Sequence, residues 1–256
     1  MPRSNPVGYN QTGLQNNFKA AGLSFISVGG DAETDLMTVT VTGYGDTAQS
    51  GQVAIQTLDD MGFMSKTYQW HDYTKKDKKS GETIHYYGWY NLTDGKYVED
   101  EEVIFPAGAG LWVQAYSEDI KLVCNGQVLT PAIAVRLQEN FTMVGNPYPC
   151  DVNLTAMWVS GYTEAEAQSG QIACQTLDDM GFMSKTYQWH DYTKKDKKSG
   201  QTVHYYGWYN LTDGKYVEGD EIIVHAGDAL WVQAPANPNP GSTYPYCLNF
   251  PELNLK

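Results

Sequence analysis

Charge is scarce in this chain. Lys, Arg, Asp and Glu make up 18% of its 256 residues, below the roughly 25% of an average soluble domain, and the balance is acidic, with a formal net charge of −13. A phosphate-binding surface needs a broad basic field, so nucleic acid is disfavoured as a partner, and so is an anionic membrane. Long apolar runs are missing too. Nothing approaches the ~18 residues of a membrane-spanning helix, and MPRSNPVGYN has no apolar stretch of the kind a secretory leader needs, which leaves a cytosolic chain or one whose leader has been removed.

Cysteine is limited to Cys124, Cys150, Cys174 and Cys247, and none are spaced as CxxC, which argues against zinc and thioredoxin-type chemistry. Four cysteines allow three pairings, and spacing does not choose among them. No GxSxG, HExxH or phosphate-cradling loop is present, so no enzyme class is suggested. Helical periodicity is absent as well; the one candidate is YTEAEAQS around Glu164–Glu166, a turn or two between strands.

What is abundant is repetition and aromatic residues. The 26 letters from Gln56 to Gly81 return unchanged from Gln175 to Gly200, HYYGWYNLTDGKYVE follows at His85–Glu99 and His204–Glu218, and LWVQA at Leu111–Ala115 and Leu230–Ala234, all offset by 119 positions. An internal repeat of this kind is one supersecondary plan used twice. With 19 Tyr and 7 Trp, short alternating runs and turn signals every 8–12 residues, that plan reads as β-sandwich or barrel. Residues Met1 to Gln11 read as a polar arm that is loose unless something ties it down by pairing elsewhere. Asp35–Gly45 alternates through Met37, Val39 and Val41 as a half-buried strand. QVAIQTL follows as a strand, with a tight connection at Gly62. In KTYQWHDYT, Tyr68, Trp70 and Asp72 share one face and Gln69, His71 and Tyr73 the other, so both faces carry aromatics. KKDKKSG is too self-repelling to pack and projects as a hairpin tip. Gly88, inside the return strand, suggests a bulge or close backbone approach, and Asp94-Gly95 the next hairpin turn. The Pro- and Asn-rich stretch PANPNPGSTYPYC reads as an extended loop. Cys174 replaces Ile55 of the first copy, as core filling would, with a disulfide left open; Cys124 and Cys247 read as equivalent last-strand positions.

Phe141–Pro149, FTMVGNPYP, resembles the GWNLVGNPYP signature of repeat modules in secreted and surface proteins of Gram-negative bacteria, which continue into an aromatic YxW-type hairpin and an APGQGFFVKA-like strand. KTYQWHDY, HAGDALWVQA (His225–Ala234) and PAGAGLWVQA (Pro106–Ala115) are similar to those later parts. The first half has GLSFISVGG (Gly22–Gly30) as a loose version of the opening. The resemblance implies an all-β surface-building module without catalytic residues, a turn at Gly145, Asn146 and Pro147, and strand-entry and core roles for Gly227 and Trp231.

The aromatic set Trp70, Tyr73, Tyr86, Tyr87, Trp89, Tyr90 and Tyr97 is either core or, if exposed, a platform for sugar rings. Asp59, Asp60, Asp94 and Asn91 could offer oxygens to calcium but lack its loop spacings and read as turn formers. His71 and Asp72, with their copies His190 and Asp191, are strand neighbours pointing to opposite faces, a poor acid–base arrangement. Asp46-Thr47-Ala48 matches a short O-glycosylation acceptor, and Asn10, Asn91, Asn140, Asn153 and Asn210 each begin N-x-T. Of the 17 basic residues, 12 lie in the duplicated blocks, and acidic runs stand at Glu99–Glu102 and Glu218–Glu221. A basic knob and an acidic flank on each half can join molecules head to tail.

The sequence therefore predicts an all-β protein of two tandem repeated β-sandwich or barrel-like domains, residues 1–128 with the N-terminal arm and 129–256. It is expected to be a non-enzymatic extracellular surface protein, structural or adhesive, self-associating through its tips; the alternative is a carbohydrate-binding module. The expected partners are itself or surface glycans, with no nucleic acid, no membrane insertion, no cofactor and no metal. The candidate binding residues are Trp70, Tyr73, Lys75, Lys76, Lys78, Lys79 and Trp89, and their copies Trp189, Tyr192, Lys194, Lys195, Lys197, Lys198 and Trp208.

Overall fold

Alternation in LWVQA shows how the sequence builds this fold: Leu111, Val113 and Ala115 are buried while Trp112 and Gln114 face the other way, the period-two pattern of a strand with one face on a core. The same logic recurs throughout, and the computed structural model is all-β and antiparallel. It describes residues 7–13, 18–22, 33–44, 53–59, 64–115, 120–177, 183–236 and 246–253.

In the first half the strands are β1 (Val7–Gly13), β2 (Phe18–Gly22), β3 (Glu33–Asp35), β4 (Thr40–Thr42), β5 (Val53–Leu58), β6 (Met64–Lys76), β7 (Thr83–Asn91), β8 (Lys96–Tyr97), β9 (Ile104–Pro106), β10 (Gly110–Ala115) and β11 (Lys121–Gln127). The second half runs β12 (Ile133–Arg136), β13 (Asn140–Gly145), β14 (Val152–Asn153), β15 (Trp158–Ser160), β16 (Ala173–Leu177), β17 (Met183–Lys195), β18 (Thr202–Asn210), β19 (Lys215–Tyr216), β20 (Ile223–Val224), β21 (Ala229–Ala234) and β22 (Cys247–Phe250). One six-stranded sheet is ordered β2-β10-β5-β6-β7-β8 and its counterpart β13-β21-β16-β17-β18-β19; the three-stranded sheets are β1-β11-β4 and β12-β22-β15, and β3-β9 matches β14-β20. In each half the small sheet packs on the large one. Val41, Leu122 and Cys124 meet Ile55, Trp70, Trp89, Leu111 and Val113 in one cluster. Val159, Leu248 and Phe250 meet Cys174, Trp189, Trp208, Leu230 and Val232 in another. These are open sheets packed face to face, a sandwich rather than a closed barrel.

The polar arm is tied down over residues 7–11, where β1 pairs with β11 along its whole length, Val7↔Gln127 to Gly13↔Lys121. Three expectations are corrected. The strand expected across Asp35–Gly45 is broken by a 3-10 turn at Leu36–Thr38, started by Asp35 accepting from the Met37 N–H; that turn buries Leu36 and leaves Met37 43% exposed. The first-half counterpart of the Phe141–Gly145 strand is Phe18–Gly22 rather than Gly22–Gly30, since Gly22 faces Gly110 as Gly145 faces Ala229. Leu122 sits opposite Val41 as Leu248 sits opposite Val159, so Cys247 matches Lys121, and Cys124 matches Phe250. The closing loop at 237–245, the turn at 45–51, Gly62 and the Asp46-Thr47-Ala48 acceptor lie outside the described residues.

All four cysteines are free thiols. Cys174 is fully buried in the second core, in keeping with its reading as a substitute for isoleucine. The helix α1 (Glu164–Ser169) has a capping box between Thr163 and Glu166 and stops at left-handed Gly170, the short connector its sequence suggests.

In the second half Asn146 organises the turn read from GNPYP. Fully buried, it donates through Nδ2 to the carbonyls of Cys150, Val224 and His225 at 2.9, 3.1 and 3.2 Å and accepts from the Tyr148 N–H at 3.0 Å. Gly227 adopts φ 83° ahead of β21. Trp231 is not a core residue: it lies on the outer face, in a cluster with Trp112, Met143 and Leu58 where the halves meet.

Candidate functional site

The duplicated hairpin, β6–β7 in one half and β17–β18 in the other, concentrates the chemistry. Its register is continuous: Trp70↔Trp89, Asp72↔Tyr87, Thr74↔His85 and Lys76↔Thr83, with His71↔Gly88 and Tyr73↔Tyr86 on the opposite face. The second copy repeats it, Trp189↔Trp208 to Lys195↔Thr202. No bulge occurs at Gly88. A Cβ there would meet nothing within 4 Å, and the residue is required by its φ of +110°, a backbone region closed to most L-residues. The register shift lies instead between Gln56 and Leu58.

The tip is built by aspartate, not by the lysines. Asp77 Oδ1 accepts from the N–H groups of Lys79 and Ser80, both at 2.7 Å, and Gly81 closes the turn at φ 75°; those donors hold the Asp77 carboxyl below its usual range. Asp196 does the same with Lys198 and Ser199. Lys75, Lys76, Lys78 and Lys79 are exposed, as are Lys194, Lys195, Lys197 and Lys198. Among the described residues none of the eight has a carboxylate within 4 Å. The acidic runs are exposed turns as well. Their last residues are bound within the same half, Glu102 by Lys96 at 2.8 Å and Glu221 by Lys215 at 2.5 Å.

The tryptophans proposed for binding are buried instead. Trp70, Trp89, Trp189 and Trp208 are at most 4% exposed, because the face they share is the one covered by the small sheet. Trp89 Nε1 donates to the Val39 carbonyl at 2.7 Å and Trp208 Nε1 to that of Met157 at 2.9 Å, pinning each hairpin to the end of the 3-10 turn opposite, Leu36–Thr38 in the first half and Leu154–Ala156 in the second. Tyr73 and Tyr192 are half-buried in an outer-face stack. Tyr73 lies on Tyr86 (5.1 Å, 19°), His71 lies on Tyr90 (4.9 Å, 15°), and His71 Nδ1 is 2.9 Å from the Tyr97 hydroxyl. His190, Tyr192, Tyr205, Tyr209 and Tyr216 repeat the arrangement. The rings cover one another's faces. Burial holds the two histidines below their ordinary pKa and pushes Tyr97 and Tyr216 up to about 12, with the neighbouring tyrosines adding to the rise.

Past the tryptophans, on the core-side face, the strands run beyond the small sheet and carry a network that reading along one strand misses. Asp72 Oδ1 lies 2.7 Å from His85 Nε2, and Oδ2 accepts from the Tyr44 hydroxyl at 2.7 Å. His204, Asp191 and Tyr162 form the copy. The hydrogen bond from His85 and that from Tyr44 hold the Asp72 carboxyl below its usual range; burial, then Asp191, pushes Tyr162 up to about 12. Beside each network a tyrosine stands out, Tyr87 at 56% and Tyr206 at 57% exposure, edge-on to Trp70 and Trp189 at 5.1 and 5.2 Å. The chain matches no protein-family model, no curated protein and no solved structure.

His71 and Asp72 do diverge, one to Tyr97 and the other to His85. The partner the sequence concealed is the diagonal neighbour on the next strand, countable from the hairpin turn. Tyr44 and Tyr162 carry a fainter signal: each follows a glycine at φ 84° and precedes an AQSG, just outside the identical blocks. No described Ser, Thr or Cys side chain hydrogen-bonds His85 or His204. Asn91 and Asp94 are spent on their own turn: the Asn91 amide donates to Asp94 at 2.7 Å, and Asn91 Oδ1 accepts from the Thr93 and Asp94 N–H groups. Among the described residues no cluster of three or more metal-ligating side chains occurs; Asp60 lies outside them.

Proposed function

We propose that this chain is a non-enzymatic surface structural or adhesive protein whose two hairpins engage partners in tandem, a second copy of itself foremost. The observation that carries the reading is the pair of matching cationic tips, eight exposed lysines with no described carboxylate within 4 Å, on a body of net charge −13 with exposed acidic turns at 99–102 and 218–221. Tips of one molecule suit acidic turns of the next. A heterologous contact of that kind repeats into chains unless its rotation closes, and two tips per molecule raise avidity without any new contact. The extracellular setting rests on the GNPYP resemblance.

Light scattering across ionic strength tests it. Species larger than one chain are expected at low salt and should dissociate above about 0.5 M, where screening lengths fall to a few ångströms. Replacing the eight tip lysines by Gln should abolish them at every salt concentration, without loss of fold, because the turns depend on Asp77 and Asp196. A salt-independent size, or a variant that assembles like the parent, refutes the reading.

A second reading, glycan binding, is favoured by the exposed Tyr87 and Tyr206 beside the Asp72–His85 and Asp191–His204 pairs. A ring face next to a carboxylate–imidazole pair is what a sugar needs for stacking and for its hydroxyls. Because Trp70 and Trp189 touch those tyrosines, oligosaccharide titration should quench tryptophan emission, and Tyr87→Ala with Tyr206→Ala should remove the response. A flat titration across mucin-type and plant oligosaccharides eliminates it.

A further inference from the structure

The joint between the halves holds a feature that occurs once, not twice. There the Gly145 N–H donates to the Gly108 carbonyl at 2.8 Å, and Ala109 bridges to Val144. The approach is close enough that a Cβ on Gly110 would fall 2.4 Å from Met143 Cγ and one on Gly108 2.3 Å from Val135 Cγ2. In the same joint lies a cleft of about 340 Å³. Leu58, Phe105 and Leu111 line it from the first half, Phe141 and Met143 from the second, and its one charged residue is Arg136.

Arg136 is exposed on β12, and no described carboxylate lies within 4 Å of it. In a chain with 30 acidic residues against 17 basic ones, a guanidinium at an apolar cleft without a counter-ion is out of keeping with the rest of the surface. Mostly apolar walls with a few polar side chains, Thr57, Gln138 and Thr142 beside the charged Arg136, at the small end of the roughly 300–1,000 Å³ typical of ligand sites, are the features of a small-molecule pocket. The guanidinium fork matches carboxylate geometry. A single cation suits a monoanion better than a phosphate monoester, whose second charge would go unmatched beside an acidic protein.

We propose that this cleft binds one amphipathic carboxylate per chain, its alkyl body of about eight carbons lying between Leu58, Phe105 and Leu111 on one side and Phe141 and Met143 on the other, and its carboxylate on Arg136. The site is separate from the duplicated hairpins, and stoichiometry distinguishes them.

Titration calorimetry of the full chain with sodium octanoate, and with 1-octanol as the uncharged probe, tests this. One equivalent of octanoate is expected, bound about tenfold more tightly than octanol, the gain of a charge-assisted contact. Arg136→Gln should bring octanoate down to the affinity of octanol and leave octanol unchanged, with an unaltered melting curve showing that the fold is kept. Ala107→Phe, which fills the cleft, should abolish both. Equal affinity for the two probes, indifference to Arg136→Gln, two equivalents per chain, or no octanoate binding at millimolar concentration each overturns the proposal.

Discussion

Replacing Asn146 by Ala should be among the most damaging single changes available in the second half. The side chain is fully buried, its Nδ2 faces the carbonyls of Cys150, Val224 and His225, and its Oδ1 takes the Tyr148 N–H. Two amide hydrogens serve three acceptors, so the substitution removes about three net hydrogen bonds. At roughly 1 kcal/mol each, with part of the ~1–3 kcal/mol penalty for every group left buried and unpaired, the loss comes to about 3–5 kcal/mol. That is a large share of a total stability of roughly 5–15 kcal/mol. Asn146→Asp sharpens the argument. It keeps the acceptor for Tyr148 but turns a donor into a carboxylate facing three carbonyls, and should be worse than Ala at pH 7, recovering as the acid is protonated. Urea unfolding monitored by tryptophan fluorescence gives both numbers. A loss below about 1 kcal/mol for Asn146→Ala, or an Asp variant as stable as the Ala variant at neutral pH, would refute this account of the turn.

Trp89→Phe and Trp208→Phe should each cost about 1–3 kcal/mol in chemical denaturation, since each orphans a buried carbonyl, Val39 or Met157, beyond the loss of ring volume. Gly88→Ala should cost about 1–2 kcal/mol through its positive φ alone and still fold, because the space beside it is open; outright misfolding would show that the space is not. His71 and His190 have pKa values lowered by burial, so the unfolded chain takes protons first as pH drops. Stability should be complete above about pH 6.5, and be lost as pH falls from there through the folded values, which a urea midpoint higher at pH 5 than at 7.5 would contradict. Burial holds Cys124 up to about 12 and raises Cys174 further, so a disulfide reagent should count two thiols slowly in the native protein, Cys150 and Cys247, and four in denaturant.

Much of the fold was readable because β alternation is a local signal: Leu111, Val113 and Ala115, or Tyr68 and Trp70, announce an inner face from neighbouring letters alone. What escaped depends on register between distant strands. Asp72 meets His85 only once the hairpin pairs Thr74 with His85, and Tyr44 reaches them from the other sheet. Cys124 and Cys247 look alike in sequence, but β11 and β22 are set against β4 and β15 at different letters. Tyrosine and tryptophan do not declare a face by their type, being at home both in a core and in an outer stack. Trp70 and Tyr73 are three residues apart on one strand, so they take opposite faces. Met37 departs from the alternation because Asp35 caps a tight turn that the period-two pattern does not reveal.

The joint has a direction. On its first-half side it needs the bare backbone of Gly110 against Met143, and the matching position after the duplication is Ala229, preceded by Asp228 where the first half has Ala109. A further unit laid against the second as the second lies against the first would meet a methyl group in place of the bare backbone of Gly110 and a carboxylate in place of the Ala109 methyl. The stacking that unites this pair is thus not a rule that can be iterated, and any longer array has to grow from some other surface of the molecule.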